Sequence, residues 1–209
     1  EFATPDALAF RPSIEIARYT RGPRASTPPA RRRLALYGRP EVARNMYPIA
    51  LEALANFIRT EEIDPDKIEL VSIGMAHKPV EMPLGVMLES LGKLPWDEYP
   101  AYLCAVDVGL SLMYSPHPSH PPLEMAASGV RVVTNLFGPK DLSILSPAID
   151  AVPPTAPAIT DALSRAWHAE PVTDADRQID MDPLGDRLEH MLDQLATTLS
   201  PMLPNDKDA

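Results

Sequence analysis

The chain has 209 residues, 45% hydrophobic and 23% charged, enough for one globular domain with a buried core. A formal net charge of −10 argues against a general nucleic-acid binder, because phosphate neutralisation needs a basic face. No apolar run reaches the ~18 residues of a membrane span, and the N-terminus lacks the basic-then-apolar order of a signal peptide, so the expected location is the cytoplasm, including its membrane face.

Residues 1–33 show no sustained periodicity, contain Pro12, Pro23, Pro28 and Pro29, and end in Arg31-Arg32-Arg33; they read as a linker or the trailing edge of a preceding domain. Residues 1–44 carry nine arginines against four acids, with no aromatic residues interleaving the arginine cluster, which suits a solvated basic stretch.

From Leu34 onward, short apolar runs alternate with helical patterns. Strands are expected at Leu34–Tyr37, Ile68–Ile73, Val86–Leu91, Val106–Met113 and Val130–Thr134, with a weaker sixth at Ala148–Val152. Helices are expected at Ile49–Arg59, Trp96–Ala105, Leu123–Ser128 and Ala158–Trp167. This alternation argues for an α/β parallel sheet covered on both faces, with ligands beyond the carboxyl ends of its strands. After Pro171, the spacing of Leu184, Leu188, Met191, Leu192, Leu195 and Leu199 predicts a terminal amphipathic helix. The expected divisions are thus 1–33, an α/β domain over 34–170, a helical segment over 171–203 and a frayed tail over 204–209.

The 25 prolines, against only 9 glycines, are densest between Pro116 and Pro122. There the run Ser115-Pro116-His117-Pro118-Ser119-His120-Pro121-Pro122-Leu123-Glu124 leads from a strand into a helix. Prolines fix their own φ and push the preceding residue to extended backbone, so this loop is expected to be stiff. Ser115, His117, Ser119 and His120 can donate to a phosphate near a helix terminus, and Glu124 can accept from sugar hydroxyls. Ser119 also suits a helix cap, and Glu124 a first-turn acid.

Two other strand ends supply cations. Gly38-Arg39-Pro40 follows the first strand, with Arg44 ranked behind Arg39, and Gly92-Lys93-Leu94 follows the third. Two such cations offset most of a diphosphate's charge, so no metal is called for, and the His and Cys spacing fits no zinc pattern. The single Cys104 stands in an apolar context and reads as a buried thiol. Neither a dinucleotide fingerprint, nor a P-loop, nor a nucleophile elbow is present.

These residues resemble a family. Leu36-Tyr37-Gly38-Arg39-Pro40 with Arg44-Asn45, Gly92-Lys93-Leu94, Tyr99, Asp107 to Met113, the Ser115 to Ala126 block, Val133-Thr134-Asn135 and Lys140-Asp141-Leu142-Ser143 look like the C-terminal half of bacterial GT-B glycosyltransferases. The similarity is strongest to S-layer-type rhamnosyltransferases that build surface glycans from dTDP-rhamnose. It implies a Rossmann-like, doubly wound sheet of about six strands, and a nucleotide-sugar donor as substrate without a further cofactor. It also implies donor contacts from Arg39 and Lys93 to the diphosphate, Glu124 to the ribose, backbone near Leu94 to the base, and Ser115, His117, Ser119, His120 and Leu123 around phosphates and sugar. The place of a glutamate in the wider retaining enzymes is Pro116 here. By the same resemblance a glycan or lipid-linked acceptor would bind through a separate N-terminal domain, with peripheral membrane association of the whole protein and no catalytic residue assigned here. Alternatives are a non-catalytic interaction module of the same fold and a sugar-nucleotide epimerase.

Overall fold

The structure is a computed structural model that describes residues 11, 14–19 and 30–200. Most of the expected linker, and the expected tail, lie outside the described residues. The chain divides into two compact units, Ile14–Ile179 and the pairing of Glu1–Ser13 with Asp180–Ala209.

In the larger unit the order is β1 (Arg32–Gly38), α1 (Tyr47–Thr60), β2 (Ile68–Gly74), β3 (Val80–Glu81), β4 (Met87–Gly92), α2 (Tyr99–Leu103), β5 (Val108–Leu110), α3 (His120–Ala127), β6 (Arg131–Asn135), β7 (Ile149–Val152) and α4 (Ala156–His168). They build one seven-stranded sheet in the order β3-β4-β2-β1-β5-β6-β7, parallel except for the antiparallel edge pair β3–β4. Apart from β3, the strands follow the doubly wound order in which the winding reverses beside the first strand. Here the reversal falls between β1 and β5, which pair from Leu34↔Val108 to Leu36↔Leu110.

The period-2 alternation of strands distributes the core over both faces. Leu34, Leu36, Ile68, Leu70, Val108 and Leu110 join a cluster with α1 and α4. Helix α1 faces it with Ala50, Ala53, Leu54, Phe57 and Ile58, the i, i+3, i+4, i+7, i+8 stripe of an amphipathic helix. Thr160 Oγ1 on α4 reaches the Ala53 carbonyl at 3.2 Å and ties the two helices. On the opposite face α3 lies so close to β5 that a Cβ at Gly109 would stand 2.7 Å from Met125 Sδ.

The structure has one strand more than the sequence reading: β3 spans only two residues, too few to show alternation. Helix α2 begins three residues later than expected, because Pro100 is tolerated only in a first turn and the helix cannot extend back through it to Trp96. The strand expected over Val106–Met113 is β5, which covers only Val108–Leu110, and beyond Ser111 the Met113 backbone pairs with the Asn135 side chain instead of a strand. Cys104 is half-buried rather than buried.

In the smaller unit, α5 (Leu188–Leu199) carries Leu188, Leu192, Leu195 and Leu199 at 37–49% exposure. The Arg11 guanidinium pairs with Asp182 at 2.8 Å in the same unit. Among the described residues no helix is long and apolar enough to cross a membrane.

Candidate functional site

A cleft of about 740 Å³ opens at the carboxyl ends of β1, β2 and β4, where parallel strands deliver their following loops to one edge. That volume lies within the ~300–1,000 Å³ typical of small-molecule sites. Tyr37 and Arg39 line it from β1, Ile73 and Gly74 from β2, Lys93 to Trp96 from the loop after β4, Tyr99 from α2, and His120, Pro121 and Glu124 from α3. Of the residues singled out in the sequence, Arg39, Lys93, Leu94, His120 and Glu124 therefore share one cavity. Ser115, His117, Ser119, Leu123 and Arg44 do not line it.

Arg39 is half-buried at the end of β1 and Lys93 is exposed beyond β4. Gly92 has φ +62, a left-handed turn that releases the chain from β4 and sends Lys93 on into the cleft wall. Arg44 is exposed, and what it contributes is its carbonyl, which accepts the Tyr114 N–H at 2.7 Å.

That bond is one of several that strap the segment leaving β5. Asn135 is fully buried and mimics a neighbouring strand: its Oδ1 accepts the Met113 N–H at 2.7 Å and its Nδ2 donates to the Met113 carbonyl at 3.1 Å. Lys140 Nζ donates to the same carbonyl at 2.7 Å, and Asn45 Nδ2 donates to the Leu112 carbonyl at 3.2 Å. Asn45, Asn135 and Lys140 belong to the sequence motifs without an assigned role; structurally they hold the proline loop from below.

Burial of Lys140 pushes its pKa down to about 8. The folded protein then binds fewer protons than the unfolded chain between about 8 and 10.5, so this residue's contribution to stability rises with pH across that window. Lys140→Met leaves the Met113 carbonyl bonded to Asn135 and removes a buried charge. Its melting temperature at pH 7 is expected to exceed the wild type's by about 2–4 °C, roughly 1 kcal/mol, with the gap closing toward pH 10.5. A gap that stays constant between pH 7 and 10.5 in thermal melts would refute this.

Within the loop, the His117 N–H donates to Ser115 Oγ at 3.2 Å and the Ser119 N–H to His117 Nδ1 at 3.0 Å. His117 Nδ1 is thus an acceptor and the neutral ring carries its proton on Nε2. Ser119 is buried with φ 69, strained for a residue with a Cβ, and its side chain makes no cap bond, contrary to the helix-cap alternative. Pro121 and Pro122 in the first turn of α3 have no N–H, so this helix start offers few amides to an anion and the side-chain cations carry the positive charge. Leu123 is 0% exposed and packs inside the core.

Glu124 is only 9% exposed, with the Tyr19 and Tyr99 hydroxyls beside its carboxyl. Burial pushes the Glu124 pKa up, outweighing the two hydroxyls that pull it down. Burial and the neighbouring carboxylate likewise push both phenols up. The Tyr99 hydroxyl is buried against the Glu124 carboxyl, although no partner among the described residues meets it in full hydrogen-bond geometry. The Tyr19 ring meets Tyr99 edge-on at 6.2 Å, and the buried Arg177 holds Tyr19 in place by donating to its carbonyl at 3.3 Å and to Ala127's at 3.0 Å.

Tyr19 and Trp96 are not among the residues the sequence singles out, and Tyr99 enters there only as part of the family motif, without an assigned role. Tyr19 belongs to the stretch read as a linker, yet Ile14–Tyr19 is part of the larger unit and packs behind the cleft wall, with Tyr19 against Glu124 and Arg18 against Trp96. Among the described residues no group of three or more His, Cys, Asp or Glu side chains could hold a metal ion.

Residues 32–164 match the family described as WsaF, C-terminal domain. The O-antigen biosynthesis protein RfbC of Myxococcus xanthus is 40% identical over 103 residues, which is 49% of this chain and 8% of that protein. The chain thus spans a small part of that curated relative. Among solved structures, the trehalose-6-phosphate synthase of E. coli bound with UDP-2-fluoro glucose aligns over 88% of this chain and 46% of its own, with 17% identity and a TM-score of 0.58. A trehalose 6-phosphate synthase from Burkholderia multivorans aligns over 83% of this chain and 43% of its own, with 14% identity and a TM-score of 0.59. At such identities the likeness concerns the fold, here that of the C-terminal half of a GT-B glycosyltransferase. With well over half of its length matched, the chain belongs to the family of WsaF C-terminal domains.

Proposed function

We propose that this chain is the nucleotide-sugar-binding part of a glycosyltransferase that extends a surface glycan, with dTDP-rhamnose as donor. The observation that carries the reading is the meeting of Arg39 and Lys93, from two strand ends, with Glu124, from α3, on the wall of one cleft at the sheet's winding reversal. Two cations suit a diphosphate, and they also offset the charge that accumulates on it as it leaves the sugar. A buried carboxylate suits a ribose hydroxyl, and the apolar wall around Leu94 suits a base. His120, the residue of the proline loop that lines this cleft, would stand near phosphates and sugar. A glycan or lipid-linked acceptor would be presented by another part of the whole protein.

Thermal unfolding with dTDP tests this. At about tenfold excess over Kd, a ligand selective for the folded state adds roughly 1.4 kcal/mol, or ~3–6 °C here. Arg39→Ala and Lys93→Ala are each expected to weaken dTDP binding by about three- to tenfold, a modest loss because salt and solvent screen both cations. Absence of any shift with millimolar dTDP would overturn the proposal.

A further inference from the structure

Trp96 is the most exposed large hydrophobic side chain among the described residues, at 65%, and it lines the cleft. An indole left that exposed ordinarily samples several rotamers. This one is gripped. The Arg18 guanidinium lies 4.3 Å from the centre of its ring, while Arg18 Nη2 donates to the Trp96 carbonyl at 3.2 Å and to Asp97 Oδ1 at 3.3 Å. Glu15 stands 3.8 Å from the same guanidinium. One arginine thus holds both the backbone and one ring face, which fixes the indole's orientation without burying it.

The other ring face remains as cleft wall. Trp96 lies three residues beyond Lys93 on the same loop, so a cation and an aromatic surface are presented together. A ligand matching both has an anionic group at one end and a flat aromatic ring at the other. We infer that Trp96, braced by Arg18, is the stacking platform for the nucleobase of the donor. This rests on the donor-site reading above and adds to it the residue that distinguishes a nucleoside diphosphate from a bare diphosphate. Stacking accepts any base because every base has a π-face, so the platform contributes affinity while choice among bases lies elsewhere in the loop.

The test is calorimetric titration of wild type, Trp96→Ala and Trp96→Phe with dTDP and, separately, with inorganic pyrophosphate. The side chain is exposed, so both variants are expected to melt like the wild type. Trp96→Ala is expected to weaken dTDP roughly 5- to 100-fold, the range that loss of one base–aromatic stack produces, and to leave pyrophosphate unchanged. Trp96→Phe should retain most of the dTDP affinity. Stacking on Trp96 is expected to let dTDP quench the wild-type fluorescence, and Trp96→Phe should abolish that quenching, since Trp167 is the only other tryptophan. Undiminished dTDP affinity in Trp96→Ala, or an equal loss for pyrophosphate, overturns the platform. Failure of the wild type to bind dTDP at all overturns the donor site itself, and the two failures are thereby distinguishable.

Discussion

Gly38→Ala is expected to destabilise the protein by about 1–3 kcal/mol, a fall in melting temperature of roughly 2–12 °C, and to weaken nucleotide binding with it. Gly38 is the last residue of β1, buried between β2 and α1. A Cβ there would stand 2.2 Å from Ser72 Oγ and 3.2 Å from a Tyr47 ring carbon. The first distance cannot be tolerated, and Ser72 is 0% exposed, so its hydroxyl can turn away only into packed interior. The remaining response is a backbone shift of the strand end, and Arg39 is the next residue. Ser72 Oγ has no hydrogen-bond partner among the described residues, so Ser72→Ala alone should be close to neutral. Combined with Gly38→Ala, it removes the offending atom and should restore most of the lost stability. A Gly38→Ala protein that melts like the wild type, or a double variant no better than the single one, would show that strand-end packing is looser than the contacts imply.

The same residue shows why part of the site was legible. Gly38-Arg39 and Gly92-Lys93 are local signals: an apolar run, a glycine and a cation give a strand end and a charge without knowledge of any distant partner. The proline loop is equally local, since each proline restricts itself and its neighbour. What stayed hidden depends on contacts far apart in sequence. Arg18 reaches Trp96 across 78 positions, and Tyr19 meets Glu124 from a stretch whose prolines and missing periodicity read as linker. Asn135 and Lys140 gain their roles only because β6 lies beside β5, which brings them under Met113. The close approach that requires Gly38 is equally non-local, since Ser72 meets it from β2 inside the core. Composition could not reveal that the loop's second histidine faces the cleft while its first bonds back to Ser119.

Glu124→Gln is expected to lower dTDP affinity about 10- to 100-fold while raising stability at neutral pH. The carboxylate would accept a ribose hydroxyl in a charge-assisted hydrogen bond, an interaction worth about 1.5–3 kcal/mol that a neutral amide largely forfeits. The stability change has the opposite sign because the charge is buried. Burial raises the folded-state pKa above the ordinary 4.5, so between 4.5 and that raised value the folded protein holds more protons than the unfolded chain. Stability therefore falls as pH rises through this window, and above it the folded protein carries the full cost of the buried charge. Glutamine has no such charge. The melting-temperature difference, variant minus wild type, should be positive at pH 7 and should shrink as pH falls toward 4.5. Affinity of the wild type should weaken over the same acid window, as protonation removes the acceptor charge, whereas the variant's affinity should change less. A glutamate that merely completed the packing around Tyr19 and Tyr99 would lose stability on substitution and leave nucleotide affinity unmoved. Measuring melts and dTDP titrations of both proteins across pH 4 to 7 therefore separates a binding carboxylate, kept at the expense of stability, from a structural one.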